Sequence, residues 1–580
     1  MNNEIEYAME YHETTKHSEI SLMTQRHYLD FDNRPIPFKI YTTNFPVYPL
    51  PSVFPQPMLD AISAISAINP SKSFAGKINT KDNNRIASSH SNEARELGIQ
   101  DLAEILFFSA GITRVKKYDT ATYFMRAASA TGALYPIELY VVCRDLDAEL
   151  EAGVYHFCPA EFSLIQIRRG DFRTYLAAAA INNEDHFSNS PLSLVLTSIA
   201  WRNAWKYQTR SYRHWFWDSG VIAANLLATT TAIGLDTELK MGFIDDKVNR
   251  LLRLDSRKEA AVIIANIGIQ GGGLSSKDDE QIENVTEISE TFPPSIRPLS
   301  EQEKNYSEIW KLHEASKLYS ADEISQWISR TRLGRIGSPA QLTDKHTPTS
   351  PSEAGVLDMR PILLTSQQDS PPSPTNGNLA EVILMRGSTR RFSKDSIPFR
   401  TLSSILYSST RGIALDFLGR EGLSLIDVYF ICNNVEDLPA GGYFFNRNSN
   451  TLDTLKTKTS REMSGYLCLG QSLFSQASAV FFLMTDLHKV LSALGNRGYR
   501  ASQFEAGVIA GKIYLSAYAQ GIGASGSTFF DDAVTEFFSP HAEKKSTMVA
   551  VGIGRPAYKA LPGKILPVRL TRDHLLSARL

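Results

Sequence analysis

Only four of the 580 residues are cysteine, and Cys143, Cys158, Cys432 and Cys468 stand far apart, with no CxxC spacing and no histidine pair beside them. That scarcity argues against a disulfide framework and against a zinc site. Net charge is scarce too: 60 Lys and Arg against 62 Asp and Glu leave −2. Such a balance gives no electrostatic footprint for nucleic acid or for an anionic membrane. No segment approaches the roughly 20 consecutive apolar residues of a membrane span. Met1 to Ser21 is polar and acidic rather than signal-like. The expectation is a cytoplasmic protein that engages neither nucleic acid nor membrane. What is plentiful is apolar residue, 43%, beside 21% charge, the proportions of a globular chain. A chain of this length exceeds one hydrophobic core, so two or more domains are expected.

The chain repeats itself. Tyr11-His12-Glu13-Thr14-Thr15-Lys16 returns as Leu312-His313-Glu314-Ala315-Ser316-Lys317, and at the same offset Arg85 faces Arg386. Further on, Gly153-Val154-Tyr155-His156-Phe157 matches Gly441-Gly442-Tyr443-Phe444-Phe445, Arg210-Ser211-Tyr212-Arg213 matches Arg497-Gly498-Tyr499-Arg500, and Ser219-Gly220-Val221 matches Ala506-Gly507-Val508. A period of roughly 290 residues is far too long for a solenoid; it suggests a fused homodimer whose pseudo-twofold interface can diverge. The expected organisation is a first domain over 1–270, a Gly-, Ser- and acid-rich linker over 271–300, and a second domain over 301–580 with a Pro-rich loose segment at 343–378.

Secondary structure is expected to match between the halves. Apolar stretches from Trp217 to Ile233 and from Phe504 to Gln520, each followed by glycine, predict buried helices with left-handed caps. Strands are predicted at Ile137–Cys143, Leu192–Thr197, Ala260–Ile267, Leu425–Cys432, Ala479–Leu483 and Met548–Ile553. A hairpin around Tyr155 argues against a purely parallel sheet, and the fold class expected is α+β.

Two stretches carry chemistry. From Ala127 to Ala133 nearly every side chain is Ala, Ser or Gly, so backbone can approach a flat ligand closely. Arg386-Gly387-Ser388-Thr389-Arg390 places two arginines and a serine on alternate positions of an extended segment, a cradle for a phosphate, and Arg555 ends a Gly-Ile-Gly-Arg run.

Together with the Ser-Ala-x-Gly-Ala-Leu-Tyr-Pro turn and the Gly-x-Tyr-His hairpin, these motifs resemble the nitroreductase-type flavoprotein fold. Tyr11-His12-Glu13-x-x-Lys16 and Trp205-Lys206-Tyr207-x-x-Arg210-x-Tyr212-Arg213 more specifically resemble SagB/McbC-type dehydrogenases, FMN enzymes that oxidise azolines in peptides to azoles. The resemblance covers about residues 5–270 and 305–558 and implies two tandem nitroreductase-like domains forming an intramolecular pseudo-dimer. It also implies FMN at the interface, its phosphate end held by one half and its ring facing the turn of the other. The halves diverge in complementary ways. The first shows Arg85, Ala87 and Ser89 where the second has Arg386, Ser388 and Arg390, and Ile269 where the second has Arg555. The second half has Glu421 facing Gly132 and Ala493-Leu494 replacing Lys206-Tyr207. One composite site is therefore expected, with Arg386, Ser388, Arg390 and Arg555 at the phosphate. Ser129, Gly132, Ala133, Leu134, Ala524, Ser525, Gly526 and Gln471 would face the flavin.

The resemblance assigns Lys206 and Tyr207 to catalysis. Azoline oxidation removes a hydride equivalent and an acidic proton, and a lysine beside cations and aromatic walls can have its pKa lowered enough to take that proton. Because His12 and Lys16, like His313 and Lys317, occur in both halves, a structural role is expected for them, and likewise for His156. The substrate implied is a peptide, ribosomally made or carrier-bound, with a cyclodehydratase as a further partner and homo-oligomerisation left open. Two alternatives stand beside it: a nicotinamide-dependent nitro or quinone reductase of the same fold, and a flavin-free peptide-binding scaffold.

Overall fold

The computed structural model describes residues 2–24, 27–67, 97–118, 122–147, 149–180, 190–268, 288, 292–330, 362–364, 377–418, 423–565 and 567–577. The first half contributes β1 (Val47–Pro49), β2 (Ile112–Lys117), β3 (Thr122–Arg126), β4 (Ile137–Cys143), β5 (Gly153–Cys158), β6 (Ser163–Arg169), β7 (Leu192–Ile199), β8 (Thr237–Lys240) and β9 (Glu259–Ile267). β2 and β3 form a separate hairpin; the others form a sheet ordered β1-β6-β5-β4-β7-β9-β8. The second half contributes β10 (Ile362–Leu363), β11 (Asp427–Cys432), β12 (Gly441–Asn446), β13 (Thr451–Lys456), β14 (Ala479–Thr485), β15 (Gly523–Ser527) and β16 (Ser546–Gly554), ordered β10-β13-β12-β11-β14-β16-β15. Strand for strand the two orders are the same. Among the described residues every ladder of both sheets is antiparallel, and the fold is α+β. Every residue of β4, β7 and β9 is buried, which is why these strands are apolar runs rather than alternating ones.

Two long helices, Ser211–Ala232 and Arg497–Ala519, pack against each other at the centre. Their approach needs glycine: a Cβ on Gly220 would lie 2.6 Å from the Val508 nitrogen, and one on Gly507 2.8 Å from the Phe216 oxygen. Each helix stops at the expected glycine, Gly234 with φ 78° and Gly521 with φ 72°. The apolar core is continuous through both halves, and a second cluster around Tyr429, Phe482 and Phe538 covers the other face of the second sheet.

Two buried ion clusters lock the halves together. Arg210 and Arg213 of the first long helix and its lead-in meet Asp531 of the second half at 3.1 and 2.9 Å. Arg497 and Arg500 meet Asp245 of the first half at 2.7 and 2.6 Å. Arg213 also donates to the His12 carbonyl and Arg500 to the His313 carbonyl, at 2.9 and 2.8 Å. Lys16 pairs with Asp532 and Lys317 with Asp246. Both His-x-x-x-Lys motifs thus belong to the inter-half lock.

One expected correspondence changes. Helices Ala61–Ser66 and Leu379–Met385 lie together, bridged at Asp60 and Asn378, and those two side chains cap them by accepting from Ser63 and Glu381 N–H, both at 2.9 Å. Counted from those matched caps, Arg386 is the eighth residue on and corresponds in sequence to position 68 rather than to Arg85. The shift arises because the segment before helix Ile99–Ala110 is longer than the one before helix Phe399–Thr410. Arg85, Ala87, Ser89, Ile269 and Glu421 lie outside the described residues.

Candidate functional site

The small-residue stretch forms a strained turn. Thr131–Ala133 is a single 3-10 turn, and Gly132, Ala133 and Tyr135 have φ of 64°, 54° and 49°, a left-handed region that residues with side chains enter at a cost. A charged scaffold beneath holds it. Arg202 donates to the Tyr135 carbonyl at 2.8 Å and to the Glu138 carboxylate, whose other oxygen meets His156 at 2.9 Å. The Asp218 carboxylate accepts from the Thr131 N–H and hydroxyl at 2.9 and 2.7 Å and from the Asn203 amide at 3.3 Å. Burial raises the Asp218 pKa to about 6 against those three bonds. Gly132 is exposed, and a Cβ there would sit 2.8 Å from the Tyr207 hydroxyl oxygen. The glycine keeps a cradle open beside that tyrosine.

The segment from Arg386 to Arg390 lies against this turn, but Arg386, Ser388 and Arg390 do different things. Arg386 is buried and donates to the carbonyls of Ala127 and Arg126, both at 2.9 Å. In return Arg114 of β2 donates to the Arg386 carbonyl at 2.7 Å and to that of Leu384. The two arginines clasp the turn of one half to the segment of the other. Ser388 is half-buried, 3.5 Å from the Tyr514 hydroxyl, and Arg390 is exposed. Thr389 N–H donates to the Ala524 carbonyl of β15 at 2.8 Å, bringing Ala524, Ser525 and the exposed Gly526 alongside. Residues 390–393 run antiparallel to 555–558: Ser393 N–H reaches the Arg555 carbonyl and Arg390 N–H the Tyr558 hydroxyl, at 2.9 and 3.1 Å. Exposed Arg555 donates to the Ser396 carbonyl at 2.9 Å, and exposed Gln471 to the Ser527 hydroxyl at 2.9 Å.

Lys206 and Tyr207 end helix Ala200–Tyr207, both half-buried, with the Lys206 amine 5.3 Å from the Tyr207 ring centre. Burial, then the charges of Arg34 and Arg390, lower the Lys206 pKa from its ordinary value. Burial and the nearby Asp218 push Tyr207 up, opposed by Arg390. The Tyr207 ring packs edge-on against His214 at 4.4 Å. Arg34 lies 4.6 Å over the Tyr123 ring of β3, in a loop docked on the helix through Asp30, whose carbonyl accepts from the Trp205 indole at 3.0 Å. One exposed arginine of the second half thus acts on the Lys-Tyr pair of the first.

The pseudo-symmetric location is filled. Leu239 of β8 stands where β15 has Gly526, and it is wholly buried; its N–H donates to the Ala414 carbonyl at 2.8 Å and its carbonyl accepts from Asp416 N–H at 3.0 Å. The Asp416 carboxylate takes the N–H groups of Met241 and Gly242 at 3.0 and 2.8 Å. Sequence reasoning did not find Asp218, Asn203, Arg34 or Arg114. Asp218 had a signal, the single acid of helix Ser211–Ala232; the others had none. Among the described residues no cluster suits a metal ion, no helix is long and apolar enough to cross a membrane, and the four cysteines are buried and unpaired.

Residues 99–269 match the model of the nitroreductase family. A protein of Methanocaldococcus jannaschii named as a nitroreductase is 27% identical over 172 residues, 30% of this chain and 81% of its own length. The microcin B17-processing protein McbC of Escherichia coli is 27% identical over 141 residues, 24% of this chain and 52% of its own length, so the likeness spans about half of that protein. A crystal structure from Anabaena variabilis, also named as a nitroreductase, superposes with TM-score 0.66 at 23% identity, covering 95% of this chain and 99% of its own. That likeness extends the shared fold over nearly the whole chain.

Proposed function

We propose, from the premise that residues 99–269 form a nitroreductase-family domain similar to McbC, that the chain is an FMN-dependent oxidoreductase that dehydrogenates azoline rings of a peptide to azoles. Its two tandem domains, 1–270 and 301–580, form an intramolecular pseudo-dimer with one active site. The observation that carries this reading is the placement of Lys206: a lysine amine with lowered pKa, flanked by Arg34 and Arg390, beside a tyrosine that faces an exposed glycine turn.

The residues present suit the cofactor. Ser388, Arg390 and Arg555 offer hydroxyl and guanidinium donors to an anionic end, and the cradle at Gly132 with the edge at Ala524–Gly526 suits a flat ring. Arg386, spent on the turn, supports this arrangement from behind. Ser129, Ala133, Leu134 and Gln471 would border the ring. Bound FMN would supply the hydride acceptor. Lys206 takes the proton from the ring carbon next to the peptide carbonyl as the neighbouring carbon gives up hydride, and Tyr207 orients the ring. The filled location at Leu239 and Asp416 supports a single site. Azolines arise by cyclodehydration, so a cyclodehydratase is the partner the chemistry calls for.

The test is FMN content by absorbance against protein for wild type, Arg390→Ala and Lys206→Ala, followed by mass spectrometry of a thiazoline-bearing peptide. Expected are one FMN per chain, loss of FMN in Arg390→Ala, and loss of ring oxidation with FMN retained in Lys206→Ala. Two FMN per chain would sink the single site. Undiminished oxidation in Lys206→Ala would sink the catalytic assignment, and nitro reduction without ring oxidation would favour the reductase alternative.

A further inference from the structure

The Asp218 carboxylate touches two elements at once. On one side it accepts from Thr131, which opens the turn whose Gly132 faces Tyr207. On the other it accepts from Asn203, which lies three residues before Lys206 and four before Tyr207 on helix Ala200–Tyr207, the spacing of neighbours on one helix face. The duplicated half supplies a comparison. Glu505, at the position of Asp218, accepts from the Leu425 N–H at 2.9 Å and from the Ser424 hydroxyl, which stand where Tyr135 and Pro136 lead out of the turn in the first half. Helix Leu487–Leu494, however, has Val490 where Asn203 stands, and Ala493-Leu494 where Lys206-Tyr207 stand. In both halves the carboxylate holds the segment that leads into the strand; the tie to the helix occurs where the Lys-Tyr pair does. Asn203 is also a costly residue to keep: it is wholly buried, and its side-chain carbonyl oxygen has no partner.

We propose that Asn203 and Asp218 are positioning residues that fix the distance between the glycine turn and the Lys206–Tyr207 pair. Neither touches substrate; they act by holding Lys206 in line with a ring lying on the turn. The inference rests on the reading of Lys206 as the base.

Asn203→Val copies the second half and removes a buried unpaired oxygen, so it should fold. Its FMN content, melting temperature and KM for a thiazoline peptide are expected to match wild type, while kcat falls about tenfold to a hundredfold, the scale of a small misplacement. The primary deuterium isotope effect on ring C–H cleavage is expected to rise, a readout that a packing role would not move. Thr131→Val, which removes one donor from the turn side, is expected to give a smaller fall of the same kind and serves if Asn203→Val folds poorly. Wild-type kcat and isotope effect in Asn203→Val, with Lys206→Ala inactive, overturn the positioning proposal and leave the functional reading standing. A fall in FMN content that accounts for the lost turnover also overturns it. Full activity in Lys206→Ala overturns the reading and the proposal together.

Discussion

Arg386 and Arg390 stand four residues apart and have different work. Arg386 is buried and holds two carbonyls of the opposite half. Arg390 is exposed and lends its charge to the surroundings of Lys206. The second effect sets a pH dependence. A free lysine amine titrates near about 10.4, and burial with two flanking cations lowers that of Lys206. If the neutral amine is the base, turnover rises with pH and levels off above this lowered pKa. Replacing Arg34 by Gln removes one lowering charge, so the rising limb is expected to move to higher pH while FMN content stays unchanged. The measurement is kcat against pH for wild type and Arg34→Gln. A limb in the same place for both would separate the arginine from the base. Asp218, titrating near about 6, adds a fall on the acid side, because its protonated form gives up an acceptor for the Thr131 donors.

The elements that join the halves carry the largest buried charges. Asp245 lies between Arg497 and Arg500, all about 1% exposed or less. Burial acts to raise its pKa, but the two guanidinium groups outweigh burial and hold the carboxyl well below the usual range. Asp531 is held down in the same way by Arg210 and Arg213. A carboxyl depressed in the folded state contributes stability that is present above its unfolded pKa, near about 3.9, and lost as pH falls toward the folded value. Asp245→Asn leaves two buried guanidinium groups without a counter-charge, and a loss of about 3–5 kcal/mol is expected in urea unfolding at neutral pH. The variant should also lose part of the steep acid dependence of wild type. Sequence patterns disclosed much at this scale. The long helices were marked by Gly234 and Gly521, and β4 by the run Ile137–Cys143, because local backbone requirements and full burial leave local traces. Asp245 and Asp531 left none, since each meets its arginines across roughly 250 to 320 residues of chain. The same distance hid the Arg386 clasp, and the longer segment after Ala67 displaced the register that set Arg85 against Arg386.

As a whole the molecule divides labour between two sheets of one topology. The first half keeps a charged scaffold under its turn, Arg202 with Glu138 and His156, and Lys39 bonded to Glu259. The second half has Phe444 where the first has His156, and it supplies Ser388, Arg390 and the edge at Gly526. Its end then returns over the first half: Lys564 N–H donates to the Thr113 carbonyl and Leu570 N–H to that of Ala160, both at 2.8 Å, and Arg572 to that of Tyr41 at 2.8 Å. Separated, each half would expose the apolar face of its long helix and strand two buried arginines and a buried aspartate. A chain opened between Lys277 and Asp278, with the pieces co-expressed, is therefore expected to give an equimolar complex that binds FMN, whereas each piece alone aggregates or unfolds. Size-exclusion chromatography with light scattering and flavin absorbance measures both. A single half that is monomeric, cooperatively folded and loaded with FMN would contradict a site assembled from the two.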